Sequence, residues 1–329
     1  MNWVQLVNEE GGEQYKMEPV IVIVGPTASG KTRLSIELAR RINGEIISAD
    51  SMQIYKYMDI GTAKPDLEEM AGIKHYLIDE ISPDEEFSVA KYRELALKYI
   101  DRILKKGKHP IVAGGTGLYV NALVYNINFS ETISDWELRE KLKKESEEKG
   151  NRYLYEQLLE IDPEAAKKIH ENDVKRIIRA LEVFKHTNKP ISQHQQDSRL
   201  EPPHYDFRIF GLRMERSRLY ERIEKRVDSM FERGLVEEVR KLKEMGYERN
   251  ITAMQGLGYK EIFAFFRGEA TLEEAKYVIK RDTRHYAKRQ LTWFKRLENI
   301  HWIDLDDNAN IEEMVKNIED CIASSGIFL

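Results

Sequence analysis

The chain has 329 residues, of which 41% are hydrophobic and 33% are charged, the composition of a globular protein large enough for two domains. Its single cysteine, Cys321, excludes an internal disulfide and a zinc site built from cysteines, so a reducing compartment is expected. The formal net charge of -5 argues against a nucleic-acid partner, although an average can conceal a local basic surface.

The sequence gives no sign of secretion, organelle import or membrane insertion. A membrane-spanning helix needs roughly 18 apolar residues, whereas the longest plain apolar run, Val20–Val24, has the length of a strand. The first residues are acidic and lack the apolar core of a signal peptide. We therefore expect a cytoplasmic protein in which residues 1–16 form a polar N-terminal extension ahead of a second methionine, Met17.

Residues 17–128 alternate between strand-like and helix-like segments, a pattern that predicts a parallel sheet covered by helices on both faces. Val20–Val24 is a continuous β-branched run, as a strand buried on both faces should be. Lys31–Asn43 places leucine and isoleucine at helical spacing, and Gly44 follows as a stop signal. Further short strands are predicted at residues 45–48, 75–78 and 110–113.

The character of the sequence changes at residues 129–203, which are charged, rich in leucine and lysine, and helical in pattern. Examples are Asp135–Lys149 and Asp173–His186, and we interpret the whole stretch as a helical insertion domain. Residues 204–329 then complete the core. They begin with a strand-like segment at 207–212 and continue with long amphipathic helices predicted at 216–243, 272–296 and 311–323.

The segment Gly25-Pro26-Thr27-Ala28-Ser29-Gly30-Lys31-Thr32 matches the phosphate-loop pattern G-x-x-x-x-G-K-[ST] in full. Its glycines let consecutive backbone N–H groups point at phosphate oxygens, and the following helix adds the positive end of its dipole. Lys31 supplies a cation for the terminal phosphate, and the Thr32 hydroxyl is the usual ligand of Mg²⁺. The predicted fold is therefore α/β, with a P-loop NTPase-like parallel sheet core, a helical insertion domain and a helical C-terminal region.

Asp50 follows the predicted strand at 45–48 and should project from the carboxyl end of the sheet, where ligands bind in open α/β folds. By position alone, a helix cap is as good an interpretation as a ribose or magnesium ligand. Thr116, in a Gly-rich segment, presents the same choice between a capping hydroxyl and a ligand contact. The phosphate loop establishes phosphate binding but does not decide which reaction follows.

Six further motifs follow the loop in order. They are Asp50–Lys56, Asp59–Pro65, Gly114–Tyr119, Asp173–Val183, Ala253–Lys260 and Thr283–Arg296. With the loop, this succession resembles the tRNA dimethylallyltransferases, also called tRNA isopentenyltransferases, from Pro19 to about Arg296. The chain is similar to the bacterial form, because a single cysteine cannot build the zinc finger that several members carry.

The resemblance implies transfer of a dimethylallyl group from dimethylallyl diphosphate to N6 of adenosine-37, the adenosine 3′-adjacent to the anticodon of tRNA, with release of diphosphate. It implies catalytic roles for Asp50, Thr27 and Lys31, a diphosphate site at Gly25–Thr32 and Mg²⁺ held by Thr32. Asp50 would accept the proton that N6 loses, and the loop would stabilise the leaving group. A monomer is expected.

The resemblance also implies binding of the tRNA anticodon stem-loop by a larger set of residues. These are Asp50, Ser51, Met52, Gln53, Thr116, Arg139, Lys175, Arg176, Arg179, Gln255, Gly258, Tyr259, Arg284, Lys288 and Arg289. Lys175 stands where many relatives have glutamine. Taken alone, the basic helical faces are usually only solvated, and Trp293 is a better candidate for packing than for base stacking. With the resemblance, the arginines become contacts to an RNA loop whose target base leaves its stack.

Two other functions remain open from the sequence. A P-loop small-molecule kinase that uses ATP and magnesium would explain the loop and Asp50, but it would leave the basic helices without a role. A nucleotide-regulated RNA-binding protein without catalysis would bind ATP or GTP tightly and perform no chemistry on dimethylallyl diphosphate.

Overall fold

The computed structural model describes residues 3–7, 13–127, 135–200, 202–247, 251–306 and 310–323, and it describes no side chains at 3–7, 13–16 and 198–200. The chain divides into two compact units. One comprises Met1–Val120 with His204–Leu329, and the other comprises Asn121–Pro203. The domain boundary expected between residues 128 and 129 lies outside the described residues.

The first unit is built around a parallel sheet. The strands of the described residues, in chain order, are β1 (Trp3–Val7), β2 (Glu13–Met17), β3 (Pro19–Val24), β4 (Gly44–Ser48), β5 (His75–Tyr76), β6 (His109–Gly114), β7 (Asp206–Met214) and β8 (Ile300–Leu305). β1 and β2 pair antiparallel with each other. The other six form one sheet in the order β5-β4-β6-β3-β7-β8, and each neighbouring pair is parallel. Their carboxyl ends therefore meet at one edge.

Helices pack against this sheet in the first unit, and other helices build the second unit. Those of the described residues are α1 (Lys31–Arg41), α2 (Val89–Leu104), α3 (Gly117–Val124), α4 (Trp136–Lys149), α5 (Asn151–Ile161), α6 (Pro163–Ala166), α7 (Val174–Thr187), α8 (Ile191–Leu200), α9 (Arg216–Glu232), α10 (Leu235–Glu244), α11 (Tyr259–Phe266), α12 (Leu272–Phe294) and α13 (Ile311–Ala323). A short 3₁₀ turn covers Ala253–Gln255. The predicted α/β class is confirmed.

β3 lies in the interior of the sheet because its sequence suits that position. Val20–Val24 is buried along its whole length, and the strand pairs with β6 on one side and β7 on the other. β-branched side chains pack well on a pleated surface that is covered on both faces. α1 begins at Lys31, directly after the phosphate loop, and buries Leu34 and Leu38 in the core, as their helical spacing predicts.

The second unit, Asn121–Pro203, has a helical core of its own. Leucine and isoleucine side chains of α4, α5 and α7 are packed together in it. The carboxylate of Glu182 on α7 is completely buried and accepts hydrogen bonds from Arg139 and Arg179. Although burial alone would raise its pKa, these two guanidinium groups hold the pKa of Glu182 below its usual range.

Two expectations about the C-terminal region are wrong. The single helix predicted at 216–243 is divided into α9 and α10 at Gly234, whose φ of 96° lies in the left-handed region where glycine is favoured. β8 was not anticipated, because only helices were expected after residue 212. It is the outer strand next to β7, and its sequence, Ile-His-Trp-Ile-Asp-Leu, mixes exposed polar with apolar side chains.

Candidate active site

Three loops that carry predicted site residues leave neighbouring strands at the same edge of the sheet. The phosphate loop follows β3, Thr116 follows β6 and Asp50 follows β4, and these strands are adjacent in the order β4-β6-β3. A cavity of about 380 Å³ opens there. The predicted residues that line it are Thr27, Lys31, Thr32, Asp50, Ser51, Met52, Gln53, Gln255, Gly258, Tyr259 and Arg289.

The phosphate loop presents polar groups suited to an anion. The Nζ of Lys31 donates to the carbonyl oxygen of Pro26 at 2.8 Å. Burial lowers the pKa of Lys31 to about 7, with a further contribution from the positive charge of Arg226 and an opposing one from Asp50. The hydroxyl of Ser29 is buried and has no hydrogen-bond partner among the described residues. An oxyanion in the loop would satisfy the hydroxyl and stabilise the charged ammonium.

Asp50 stabilises a turn and does not cap a helix. Its Oδ1 accepts a hydrogen bond from the backbone N–H of Met52 at 2.9 Å, and residues 51–54 form turns. Its negative charge acts on Lys31 and on Tyr286, whose pKa is raised first by burial and then by Asp50. A carboxylate is thus placed in the cavity, close to the phosphate loop.

Thr116 joins the Asp50 turn to the loop that follows β6. Its Oγ1 accepts from the backbone N–H of Ser51 at 3.0 Å, and its own N–H donates to the carbonyl of Ala49 at 3.0 Å. Gln53 is fixed in a similar way. Ser48 Oγ donates to Gln53 Oε1 at 3.0 Å, and Gln53 Nε2 donates to the carbonyl of Ala63 at 3.3 Å. The side chains beside Asp50 are therefore held in defined positions.

Glu238 on α10 organises another wall of the cavity and was not predicted. Its carboxylate accepts from three consecutive N–H groups, those of Asp59, Ile60 and Gly61, at 2.9, 2.7 and 3.1 Å. It also accepts from the hydroxyl of Tyr259 at 2.7 Å. Gly61 and Tyr259 both line the cavity, so one carboxylate connects two of the sequence motifs.

Gln290 on α12 also went unpredicted, although it lies within the last motif. Its Oε1 accepts from the N–H of Thr27 and its Nε2 donates to the carbonyl of Gly115, both at 2.8 Å. The side chain is buried and lines the cavity. It therefore contacts both the phosphate loop and the loop that carries Thr116.

α9 contributes charged and apolar side chains that were not predicted from the sequence. Arg226 lines the cavity, its pKa is lowered by burial, and Asp50 acts against that shift. Arg222, one turn earlier, approaches Gly30 of the phosphate loop. Ile223, Val227 and Met230 line the cavity as well. The i, i+4 spacing of Arg222 and Arg226, on a helix that directly follows a strand, is the sequence signal that could have identified them.

The remaining predicted residues lie outside this cavity. On α12, Arg284 pairs with Glu224 of α9 at 2.6 Å, and Lys288 is exposed. In the second unit, Lys175 and Arg176 are exposed, whereas Arg139 and Arg179 bind Glu182. Trp293 lies against Gly117 at the start of α3, which is the packing role expected for it.

A phosphate loop and a carboxylate at the carboxyl edge of a parallel sheet define the core of a P-loop enzyme that acts on a phosphorylated substrate. The model of the family described as IPP transferase matches residues 53–297. The chain belongs to this family and is an enzyme of the transferase class. The resemblance inferred from the ordered motifs is thereby confirmed.

Individual proteins agree with this assignment. A tRNA dimethylallyltransferase of Acetivibrio thermocellus is 64% identical over 313 residues, which cover 95% of this chain and 100% of that one. The crystal structure of a tRNA isopentenylpyrophosphate transferase from Bacillus halodurans is 44% identical, with a TM-score of 0.70 over 94% of this chain and 96% of that one. A eukaryotic dimethylallyltransferase acting on tRNA is 32% identical, with a TM-score of 0.80 over 94% and 80% of the two chains.

None of the helices in the described part of the chain combines the length and the apolar character that crossing a bilayer requires.

Proposed function

We propose that the protein transfers a dimethylallyl group from dimethylallyl diphosphate to N6 of adenosine-37 of tRNA, the adenosine 3′-adjacent to the anticodon, and releases diphosphate. The observation that carries the proposal is the position of Asp50 and the phosphate loop around one cavity that also has apolar walls. The names of the relatives point to the same reaction.

The residues around the cavity suit each part of this reaction. The bond between the allylic carbon and the diphosphate oxygen breaks, and the same carbon bonds to N6. N6 is a weak nucleophile because its lone pair is delocalised into the ring, so it gains from transferring its proton to the Asp50 carboxylate. Lys31 and the backbone N–H groups of the loop stabilise the charge that grows on diphosphate. Ile223, Val227 and Met230 offer the hydrocarbon tail a surface that excludes water.

The same site fits Mg²⁺. The Thr32 hydroxyl is part of an exposed side chain that lines the cavity together with Asp50, and both offer the hard oxygen atoms that Mg²⁺ prefers. Within the described residues, no group of three or more histidine, cysteine or acidic side chains could hold a metal alone, so diphosphate and water would complete the shell. When bound, the ion neutralises negative charge on the leaving group.

For tRNA, we propose contacts on both units. Ser51, Met52, Gln53, Thr116, Gln255, Gly258 and Tyr259 would surround the flipped base, and Arg284, Lys288 and Arg289 on α12 would contact the backbone. In the second unit, Lys175 and Arg176 offer exposed cations, of which Arg176 also pairs with Asp173 on its own helix. Arg139 and Arg179 would contact RNA while they remain bound to Glu182. We further propose a monomer that works in the cytoplasm, where its tRNA substrate is found.

Mass spectrometry of the anticodon-loop adenosine tests the proposed reaction. Purified protein, unmodified tRNA, Mg²⁺ and dimethylallyl diphosphate should yield dimethylallyl-adenosine at position 37 and free diphosphate. A tRNA with guanosine at that position is the matched control and should remain unchanged. ATP consumption with a small acceptor, together with unmodified tRNA, would instead establish the kinase alternative, which the relatives do not favour.

A further inference from the structure

Gln290 connects two loops that the sheet itself leaves unconnected. The pairing of β3 with β6 extends to Val24 opposite Gly114, and the phosphate loop and the Gly115–Thr116 segment continue beyond that pair. The amide of Gln290 spans the gap, because its Oε1 accepts from Thr27 N and its Nε2 donates to Gly115 O, each at 2.8 Å. Gln290 reaches these loops from α12, and Thr27 lies 263 residues away from it in the chain.

The contact between Gln290 and the two loops requires an amide at position 290 and glycine at position 115. The Gln290 side chain is 4% exposed, so an unsatisfied backbone group beside it would be costly. A carboxylate could accept from Thr27 but could not donate to the Gly115 carbonyl. A Cβ at Gly115 would lie 2.2 Å from Gln290 Nε2, so only glycine permits this approach.

The connection continues to Asp50. Thr116 follows Gly115 directly, and its Oγ1 accepts from the N–H of Ser51, the neighbour of Asp50, at 3.0 Å. Tyr286, one turn before Gln290 on α12, is close enough to Thr116 and Gln290 for both side chains to lower its pKa, against the larger effect of burial. One buried amide is therefore linked on one side to the loop for diphosphate and on the other side to the turn that holds the carboxylate.

We propose that Gln290 is a positioning residue that sets the separation between the diphosphate loop and the Asp50 turn, and thereby aligns the allylic carbon with N6. This inference rests on the proposed function. Bond formation requires the two reacting atoms to lie roughly 3–3.5 Å apart and in line, and a displacement of about 1 Å can cost about 100-fold in rate. Gln290 touches neither reacting atom; it acts through Thr27 and Thr116.

The test uses two variants of the full chain and one control. Gln290→Glu keeps the shape and removes the donor, and Gln290→Leu removes both hydrogen bonds. Gln195→Glu makes the same chemical change at an exposed position of α8 in the other unit and should behave as wild type. With both substrates saturating, the single-turnover rate should fall about 10- to 100-fold in each Gln290 variant. The dissociation constants for inorganic diphosphate and for tRNA should stay within about 3-fold.

A role in stability alone would not produce this separation of rate from affinity. Rates within 3-fold of wild type in both Gln290 variants would overturn the proposal, and so would parallel losses of rate and of both affinities. Failure of wild type to modify tRNA would count against the proposed function instead.

Hydrogen exchange tests, independently of the reaction, whether Gln290 holds the two loops in place. In both variants, without ligand, peptides covering residues 25–32 and 114–119 should exchange faster together, while peptides from β4 should remain as in wild type. Unchanged exchange in both loops would overturn the proposal whatever the reaction proves to be.

Discussion

Lys31 shows how a single side chain can be prepared for an anion. Its ammonium group donates to a carbonyl of its own loop, and burial lowers its pKa to about 7. An arriving diphosphate offers a stronger, charge-assisted partner and favours the protonated form.

Replacing Lys31 with alanine should therefore weaken inorganic diphosphate binding about 10- to 100-fold, the value of a lost hydrogen bond between charged groups. The affinity for tRNA should remain close to that of wild type, because only the diphosphate meets the loop. Calorimetric titration with each ligand measures both effects. A collapse of tRNA affinity with normal turnover at saturation would show that the loop has been assigned to the wrong substrate.

In the proposed reaction, Asp50 accepts the proton from N6, so the chemical step should depend on it. Asp50→Ala should lower the single-turnover rate about 10²- to 10⁴-fold, the contribution of a positioned general base, with little effect on tRNA affinity. Asp50→Asn preserves the hydrogen bond from Met52 N to the side chain and should lose a similar factor. Rapid-quench kinetics measures both. If the asparagine variant retained the wild-type rate, Asp50 would be a turn-stabilising residue only.

At the scale of elements, β3 and α1 could be predicted from the sequence and β8 could not. β3 and α1 are encoded by local patterns, an apolar β-branched run and leucines at helical spacing. β8 lies at the edge of the sheet and exposes His301 and Asp304, so its pattern lacks the continuous apolar character of a buried strand.

The same distinction applies to the site. The phosphate loop and Asp50 were found because their signals lie within a few residues of each other or directly after a strand. Gln290 and Glu238 were missed because they owe their roles to partners 263 and about 177–179 residues away. No local spacing marks a glutamine or a glutamate for such a contact.

Glu45 on β4 makes the stability of the folded state depend on pH. Glu45 is buried, accepts from Tyr76, and is approached by the ammonium groups of Lys106 and Lys108 at 2.8 and 2.9 Å. Burial alone would raise the pKa of Glu45, but these hydrogen bonds prevail and lower it to about 2. A carboxyl group with a lowered pKa stabilises the folded state above the pKa of the unfolded chain, 4.5, and this stability is lost as pH falls toward 2.

Glu45→Gln should consequently be less stable than wild type at pH 7, and the difference should shrink steadily below pH 4.5. Urea denaturation at several pH values measures it. Glu37→Gln, at a partly exposed position of α1, is the control and should show little pH-dependent difference. A gap between wild type and the Glu45 variant that did not change with pH would contradict the assignment.

On the scale of the whole molecule, a chain with a net charge of -5 has to bind a polyanion through local clusters of cations. In the second unit, the cations differ in whether they also stabilise the fold. Arg176 is exposed and pairs with Asp173 on its own helix, whereas Arg139 and Arg179 neutralise the fully buried Glu182.

Arg176→Ala should therefore weaken tRNA binding and reduce the slope of log affinity against log salt by about 0.7–1, with unchanged stability. Arg284→Ala on α12 should flatten the slope in the same way. Arg179→Ala should also lower the free energy of unfolding by about 1–3 kcal/mol, since a buried carboxylate loses a partner. Filter binding at several salt concentrations measures the slopes, and thermal melting measures the stability. Slopes equal to that of wild type in all variants would show that these arginines do not contact RNA.

The contacts of Glu238 determine how late in synthesis the site can form. The N–H groups of residues 59–61 leave the ribosome well before the carboxylate that binds them, and Tyr259 follows later still. The nascent N-terminal half therefore carries a complete phosphate-loop sequence but only an unfinished site wall. A chain released before α10 and α12 have been synthesised lacks residues that line or organise the cavity, so we expect activity only from chains that extend through α12.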